Sequence, residues 1–185
     1  PSSLYLSLTD KTHKNRLCIP SYNRSGKIVH YQTRKLLDDD SPKYLSKTNS
    51  EKSIFGIDQV TDLHHTVYIF EGPVDSFFVE NGIAIAGIQE SSVTSLTDKQ
   101  NQLLQEFCIL RKTWVLDNQH LDKASMLKSK QLISSGDRVF IWPKELNPAK
   151  DFNDLCMQHK IDCISSKFID DNTYSGPEAL LKLGS

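Results

Sequence analysis

Thr66-Val67-Tyr68-Ile69-Phe70-Glu71-Gly72-Pro73-Val74-Asp75 decides how this chain folds. The β-branched and aromatic run Thr66 to Phe70 reads as a buried strand, and Gly72-Pro73 forces a sharp turn before the next periodic segment, Ser76-Phe77-Phe78-Val79. Glu71 therefore closes the strand or opens the loop, and Asp75 falls in the first turn of a helix. In open α/β sheets, strand C-termini are where ligands bind, and helix N-termini add positive dipole there.

Downstream of Val67 the pattern alternates. Strands are expected at Val67 to Phe70, Ile83 to Ala86, Thr113 to Leu116 and Arg138 to Trp142, with helices at Asp75 to Glu80, Thr97 to Phe107 and Lys123 to Ile133, the last stopped by Ser134-Ser135-Gly136. Such alternation predicts βαβ units with right-handed crossovers. The fold class is α/β, a mostly parallel central sheet flanked by helices. Upstream, Leu17-Cys18-Ile19-Pro20, the turn Asn23-Arg24-Ser25-Gly26 and Ile28 to Thr33 form a hairpin signature, followed by the polar loop Asp38 to Pro42 and an exposed stretch from Ser46 to Ser53. The sheet is thus preceded by a small mixed α+β or β-hairpin subdomain. We divide the chain into a basic subdomain over 1–62, the α/β domain over 63–160 and an extension over 161–185 in which Pro177 opens a short Leu-rich helix.

A chain of 185 residues buries one good core, or a large domain plus a small one. Its net charge of -1 argues against a wholly basic nucleic-acid coat or a polybasic membrane binder. The balance hides an asymmetry: residues 1–60 hold ten Lys/Arg against six Asp/Glu, and the remainder twelve against seventeen, so +4 is followed by -5. One lobe suits a polyanion, the other divalent cations. Cys18, Cys108, Cys156 and Cys163 show no paired spacing, and Cys156, His159 and Cys163 match no standard zinc finger. Free thiols, the lack of a transmembrane-length apolar run and the lack of a signal-peptide pattern lead us to expect a soluble, intracellular protein. Pro1 is no natural start, which suggests a fragment.

A parallel sheet delivers every strand's following loop to one edge. Three of those loops begin with acids: Glu71 and Asp75, then Asp117 and Asp122, then Asp151 and Asp154. Carboxylates gathered there repel each other unless cations neutralise them, and Mg²⁺ is the expected guest. Each Asp also reads as a helix N-cap, which explains the sites separately. Capping does not explain the acid at Glu71, which ends a strand.

In this order the residues resemble the Toprim nucleotidyl-transfer fold and, within it, the bacterial-type (DnaG-like) DNA primases. Glu71, Gly72 and Asp75 match the pattern EGxxD, and Asp117-Asn118-Gln119 stands where a DxD motif is found. Upstream, Asn15 to Pro20, Arg34 and Pro42-Lys43-Tyr44-Leu45 resemble primase elements, and Lys150-Asp151-Phe152-Asn153-Asp154 resembles the acidic motif after the final catalytic strand. Nearly the whole chain, from Asn15 to Leu155, is covered. The texture of Val115 to Asn118, Ile141-Trp142-Pro143 and Asp151 to Asp154 is similar to primases of tailed bacteriophages.

The resemblance implies synthesis of RNA primers on a single-stranded DNA template from ribonucleoside triphosphates. The cofactor would be Mg²⁺, with Mn²⁺ able to substitute, a replicative helicase would be the partner, and the place of action the cytoplasm, that of the host if phage-encoded. Asp117 and Asp151 are the leading metal ligands, Glu71 is a further ligand or the general base, and Asp75 holds groups behind the ligands or caps its helix. Gln119 and Asp122 are further metal-ligand candidates: Gln119 departs from DxD by removing a negative charge but can still offer its amide oxygen to a cation, and Asp122, three residues later, could restore the charge. Arg16, Arg34 and Lys43 would meet template or triphosphate oxygens, Tyr44 would stack on a base, and Lys123 is a further phosphate candidate. Trp114, Trp142 and the Phe residues read as core. Two alternatives remain, another Toprim enzyme of nuclease or topoisomerase type, or a catalytically weak nucleic-acid-binding module. The chain holds no P-loop.

Overall fold

Two sheets carry the chain. The computed structural model describes residues 3–60, 66–85, 96–107, 111–146 and 148–184. The first sheet is antiparallel, built from β1 (Tyr5–Ser7), β2 (Arg16–Tyr22), β3 (Ile28–Lys35) and β4 (Tyr44–Ser46) in that spatial order. The β2–β3 hairpin is the one expected: the Asn23 side chain accepts from the backbone N–H groups of Ser25 and Lys27, and Gly26 takes the left-handed conformation at φ 77° that closes the turn.

The second sheet has the order β6-β5-β7-β8-β9, from β5 (Val67–Phe70), β6 (Gly82–Ala84), β7 (Lys112–Val115), β8 (Arg138–Phe140) and β9 (Thr173–Tyr174). All neighbours pair in parallel except β8 and β9, so the mostly parallel sheet read from the sequence is present. Helices cover both faces, which is why β5 is apolar at every position. On one face Val67, Ile69, Trp114 and Val139 pack against α2 (Asp98–Gln105), α3 (Lys123–Ser134) and α6 (Gly176–Gly184). On the other, Tyr68, Phe70, Val115 and Phe140 pack against α1 (Pro73–Ser76), α4 (Phe152–His159) and α5 (Ser166–Asp171). Trp142, Phe70, Phe140 and Phe152 form a buried aromatic cluster here, as expected of core residues.

Element ends differ from the sequence reading where turns intervene. α1 is a single turn, Pro73–Ser76, and not a helix to Glu80, because the chain must turn back through Asn81, at φ 56°, into β6. Gly82 makes that turn possible: a Cβ there would lie 2.7 Å from the Ser76 carbonyl oxygen. α2 begins in a capping box between Thr97 and Gln100, within the span expected for it. Residues 161–184 do not stand apart, since β9 extends the sheet and Ala179 and Leu183 of α6 enter its core. Ala86, Cys108 and the boundary at 62/63 lie outside the described residues. Cys18, Cys156 and Cys163 are free, and among the described residues no group of three or more His, Cys, Asp or Glu side chains is gathered so as to hold a metal ion. No described helix is long and apolar enough to cross a membrane.

Candidate active site

The parallel pairing of β5 and β7 sets Phe70 beside Val115, so the residues that follow, Glu71 and Asp117, emerge at the same edge. A third loop is tied to them by Asn118, which is fully buried. Its backbone N–H donates to the Lys150 carbonyl (2.7 Å) and its side-chain amide to that of Ala149 (2.8 Å). These two bonds hold Asp151 beside Asp117. Asp151 is the N-cap of α4, its carboxylate accepting from the Asp154 N–H at 2.7 Å. Asp75 reaches across from α1 and accepts from the Asn153 N–H of the same helix at 3.0 Å. Asp75 therefore caps α4, not its own helix.

Glu71, Asp75, Asp117 and Asp151 line one cleft of about 310 Å³, closed on the opposite side by Gln32, Lys43 and Tyr44 of the antiparallel sheet. The electrostatics follow from that crowding. Burial, then repulsion from Glu71, Asp75 and Asp151, pushes the Asp117 carboxyl up to about 7. Burial and the Asp151 charge push Asp75 up to about 6, against the opposing pull of the Asn153 N–H, Lys43 and Arg34. Both carboxyls are raised first by burial and then by neighbouring acids, so the cleft is shielded from water as well as crowded with negative charge. Among the described residues no three acids are drawn together as a ready-made metal site, but an all-oxygen lining is the chemistry a hard, partly hydrated divalent cation takes.

Lys43 and Arg34 supply what positive charge there is on the far wall. Arg34 donates to the Tyr44 hydroxyl (2.9 Å), with its guanidinium 5.6 Å from that ring's centroid, and the Lys43 ammonium lies 5.9 Å from it. Burial raises the Tyr44 hydroxyl pKa while Arg34 lowers it and Asp75 and Asp151 raise it, which puts the hydroxyl between both sets of charges.

Three expected site residues, Gln119, Asp122 and Arg16, are engaged elsewhere, and a fourth, Lys123, lies outside the cleft lining. Gln119 is 3% exposed and its amide belongs to the core: Nε2 donates to the Phe140 carbonyl (2.8 Å) and the Ser129 hydroxyl (3.2 Å), and Oε1 accepts from the Trp142 N–H (3.2 Å). The second residue of the DxD-like pair thus ties β7 to β8 instead of facing the cleft, and a carboxylate would have no place there. Asp122 caps α3, accepting from the backbone of Ala124 and Ser125 and from the Ser125 hydroxyl, and those bonds help hold its pKa below the usual value. Lys123 sits exposed at the first position of α3, outside the cleft lining. Arg16 is 4% exposed and donates to Thr33, the Ser41 hydroxyl and the carbonyls of Pro42 (2.6 Å) and Lys43 (3.1 Å). It holds the loop that presents Lys43 and Tyr44.

One charged residue at the site escaped the sequence reading. Lys128 of α3 donates to Glu71 Oε2 at 2.9 Å. The signal for it was helical spacing: Asp122, Ser125 and Lys128 recur every three residues beside the buried Ser129, a polar stripe on the sheet-facing side.

No protein-family model matches the chain. Among solved structures, the RNA polymerase domain of Mycobacterium tuberculosis primase DnaG aligns with 83% of this chain and 56% of its own at a TM-score of 0.59 and 22% identity. The DnaG primase catalytic domain bound to ssDNA aligns with 84% of this chain and 51% of its own, with a TM-score of 0.56 and 18% identity. At such identities the likeness carries the fold, and the fold is that of a primase catalytic core.

Sequence narrows this further. The DNA primase of Enterobacteria phage T4 is 36% identical over 143 residues, 76% of this chain and 38% of that protein. The chain is a DNA primase homologue, spanning under half the length of the curated relative it matches.

Proposed function

We propose that this chain is the catalytic core of a DNA primase, joining ribonucleotides into short primers on single-stranded DNA. The observation that carries the reading is the convergence of four carboxylates on one cleft in a chain homologous to a primase. Asp117, Asp151 and Glu71 would hold Mg²⁺, with Mn²⁺ as a substitute. When bound, the cation lowers the pKa of the attacking 3′-hydroxyl and stabilises charge building on the triphosphate. The hydroxyl oxygen gives up its proton to solvent and attacks the α-phosphorus, and the new phosphodiester bond forms as the bond to pyrophosphate breaks.

The protein's share is position and charge. Asp75, through α4, keeps Asp151 at the cleft. We assign Glu71 to cation binding and not to proton abstraction on its place in the cleft lining beside Asp117 and Asp151. Lys43 and Arg34 face phosphate oxygens of template or triphosphate, and Tyr44, oriented by Arg34, offers its ring to a base. Arg16 supports them by fixing the loop, and Lys123 meets template phosphate outside the cleft. Single-stranded DNA as template accords with the complex formed by the structurally similar DnaG domain. A replicative helicase is the expected partner and the cytoplasm the expected place of action, that of the host if the chain is phage-encoded.

The test is Mg²⁺-dependent incorporation of labelled ribonucleotides on single-stranded DNA, comparing the parent with Asp117→Ala and Glu71→Gln. Incorporation by the parent alone supports the reading. Equal signals from all three would remove catalysis from this cleft.

A further inference from the structure

Glu71 lines the cleft, and Lys128, outside the lining, reaches it through their ion pair. Lys128 stands in the second turn of α3, a helix that packs on the face of the sheet opposite α1 and α4, yet its side chain reaches the loop after β5. The contact is direct, 2.9 Å from Nζ to Glu71 Oε2, and both side chains are mostly shielded, at 18% and 22% exposure. The other basic groups named at the cleft are Lys43 and Arg34, and both belong to the opposite sheet. On the parallel-sheet side, where four acids converge, Lys128 is the cation bound to one of them.

The ammonium group occupies Glu71 Oε2 and leaves Oε1 as the oxygen open to a metal ion. A divalent cation that takes Glu71 Oε2 must first displace Nζ, and one that binds through Oε1 with the pair intact meets the ammonium's positive charge across the carboxylate. Either route weakens binding. In exchange, the pair holds Glu71 in place among like-charged neighbours.

We propose that Lys128 is a positioning residue that competes with divalent cations for Glu71, serving as the site's resident counter-ion until the metal replaces it. This rests on the cation-binding reading of Glu71, Asp117 and Asp151 given above. The competition has a signed consequence: removing the ammonium should tighten metal binding, whereas removing a group that merely supports the fold should loosen it.

The experiment is titration of the chain with Mn²⁺, read from the loss of the free-ion electron paramagnetic resonance signal, so that no turnover is needed. Parent, Lys128→Met, Lys128→Arg and Asp117→Asn are compared at pH 8. Met retains the aliphatic stem against α3, and circular dichroism of each variant checks that the fold is kept. Lys128→Met is expected to bind Mn²⁺ about fivefold more tightly than the parent, near the upper end for a partly shielded pair. Lys128→Arg, which keeps the charge, should stay within about twofold of the parent. Unchanged or weaker binding by a folded Lys128→Met overturns the inference while parent binding that Asp117→Asn abolishes still upholds the metal site. No Mn²⁺ bound by either parent or Lys128→Met overturns both.

Discussion

Asp117→Asn should stabilise this protein at neutral and higher pH, although it removes a proposed catalytic group. In the folded chain the Asp117 carboxyl is raised from 3.8 to about 7, chiefly by burial and then by its acidic neighbours. Folding therefore takes up a proton between those values, so stability falls as pH rises through that window and is level above it. At 1.36 kcal/mol per unit the full penalty is about 4 kcal/mol, of which roughly 2 falls between pH 5 and pH 8 once residual solvent screening is allowed for. Asn keeps the shape without the charge. In urea denaturation without divalent cations, the variant's advantage over the parent should be about 2 kcal/mol larger at pH 8 than at pH 5. Adding Mg²⁺ should recover stability in the parent and little in the variant. An advantage that is the same at both pH values would refute the raised Asp117 carboxyl, and with it the buried, acid-lined setting the structure gives that residue.

Asn118→Ala removes the side-chain tie to Ala149 and should cost about 1–3 kcal/mol in denaturation while also lowering nucleotide incorporation, since Asp151 is no longer held beside Asp117. Gln119→Asp, which writes DxD into the chain, should improve neither incorporation nor Mn²⁺ binding. It should destabilise by about 2 kcal/mol or more, because it sets a shorter, anionic group against the Phe140 carbonyl. Gly82→Ala should lower the melting temperature, as its methyl would meet the Ser76 and Val79 carbonyl oxygens at 2.7 and 2.9 Å, a backbone clash typically worth about 1–3 kcal/mol.

The acids illustrate how far a one-dimensional reading reaches. Glu71, Asp117 and Asp151 are each the first or nearly the first residue after a strand or before a helix, and parallel pairing of β5 with β7 suffices to bring the first two to one edge. The hairpin, the alternation of β5 to α4 and the aromatic core were legible for the same reason: they follow from periodicities of two and 3.6 residues and from turn chemistry. Gln119 and Asp122 were not legible. Both lie within five residues of Asp117, and proximity in sequence suggested a shared site. Their side chains instead satisfy Phe140, Trp142 and the N-terminus of α3, partners that only the packed structure supplies. Arg16 misled in the same way, since a buried guanidinium with every contact on protein has the same one-letter code as an exposed one.

By itself the sequence determined the strand-turn-helix alternation and the placing of carboxylates at strand ends, because these depend on interactions among residues a few positions apart. Tertiary structure alone decided that Asp75 caps α4 across 78 residues and that Lys128 meets Glu71 across 57. Where a side chain points at such separations is settled by which buried polar groups must find partners once the two faces of the sheet are covered, and that is a property of the whole packed molecule.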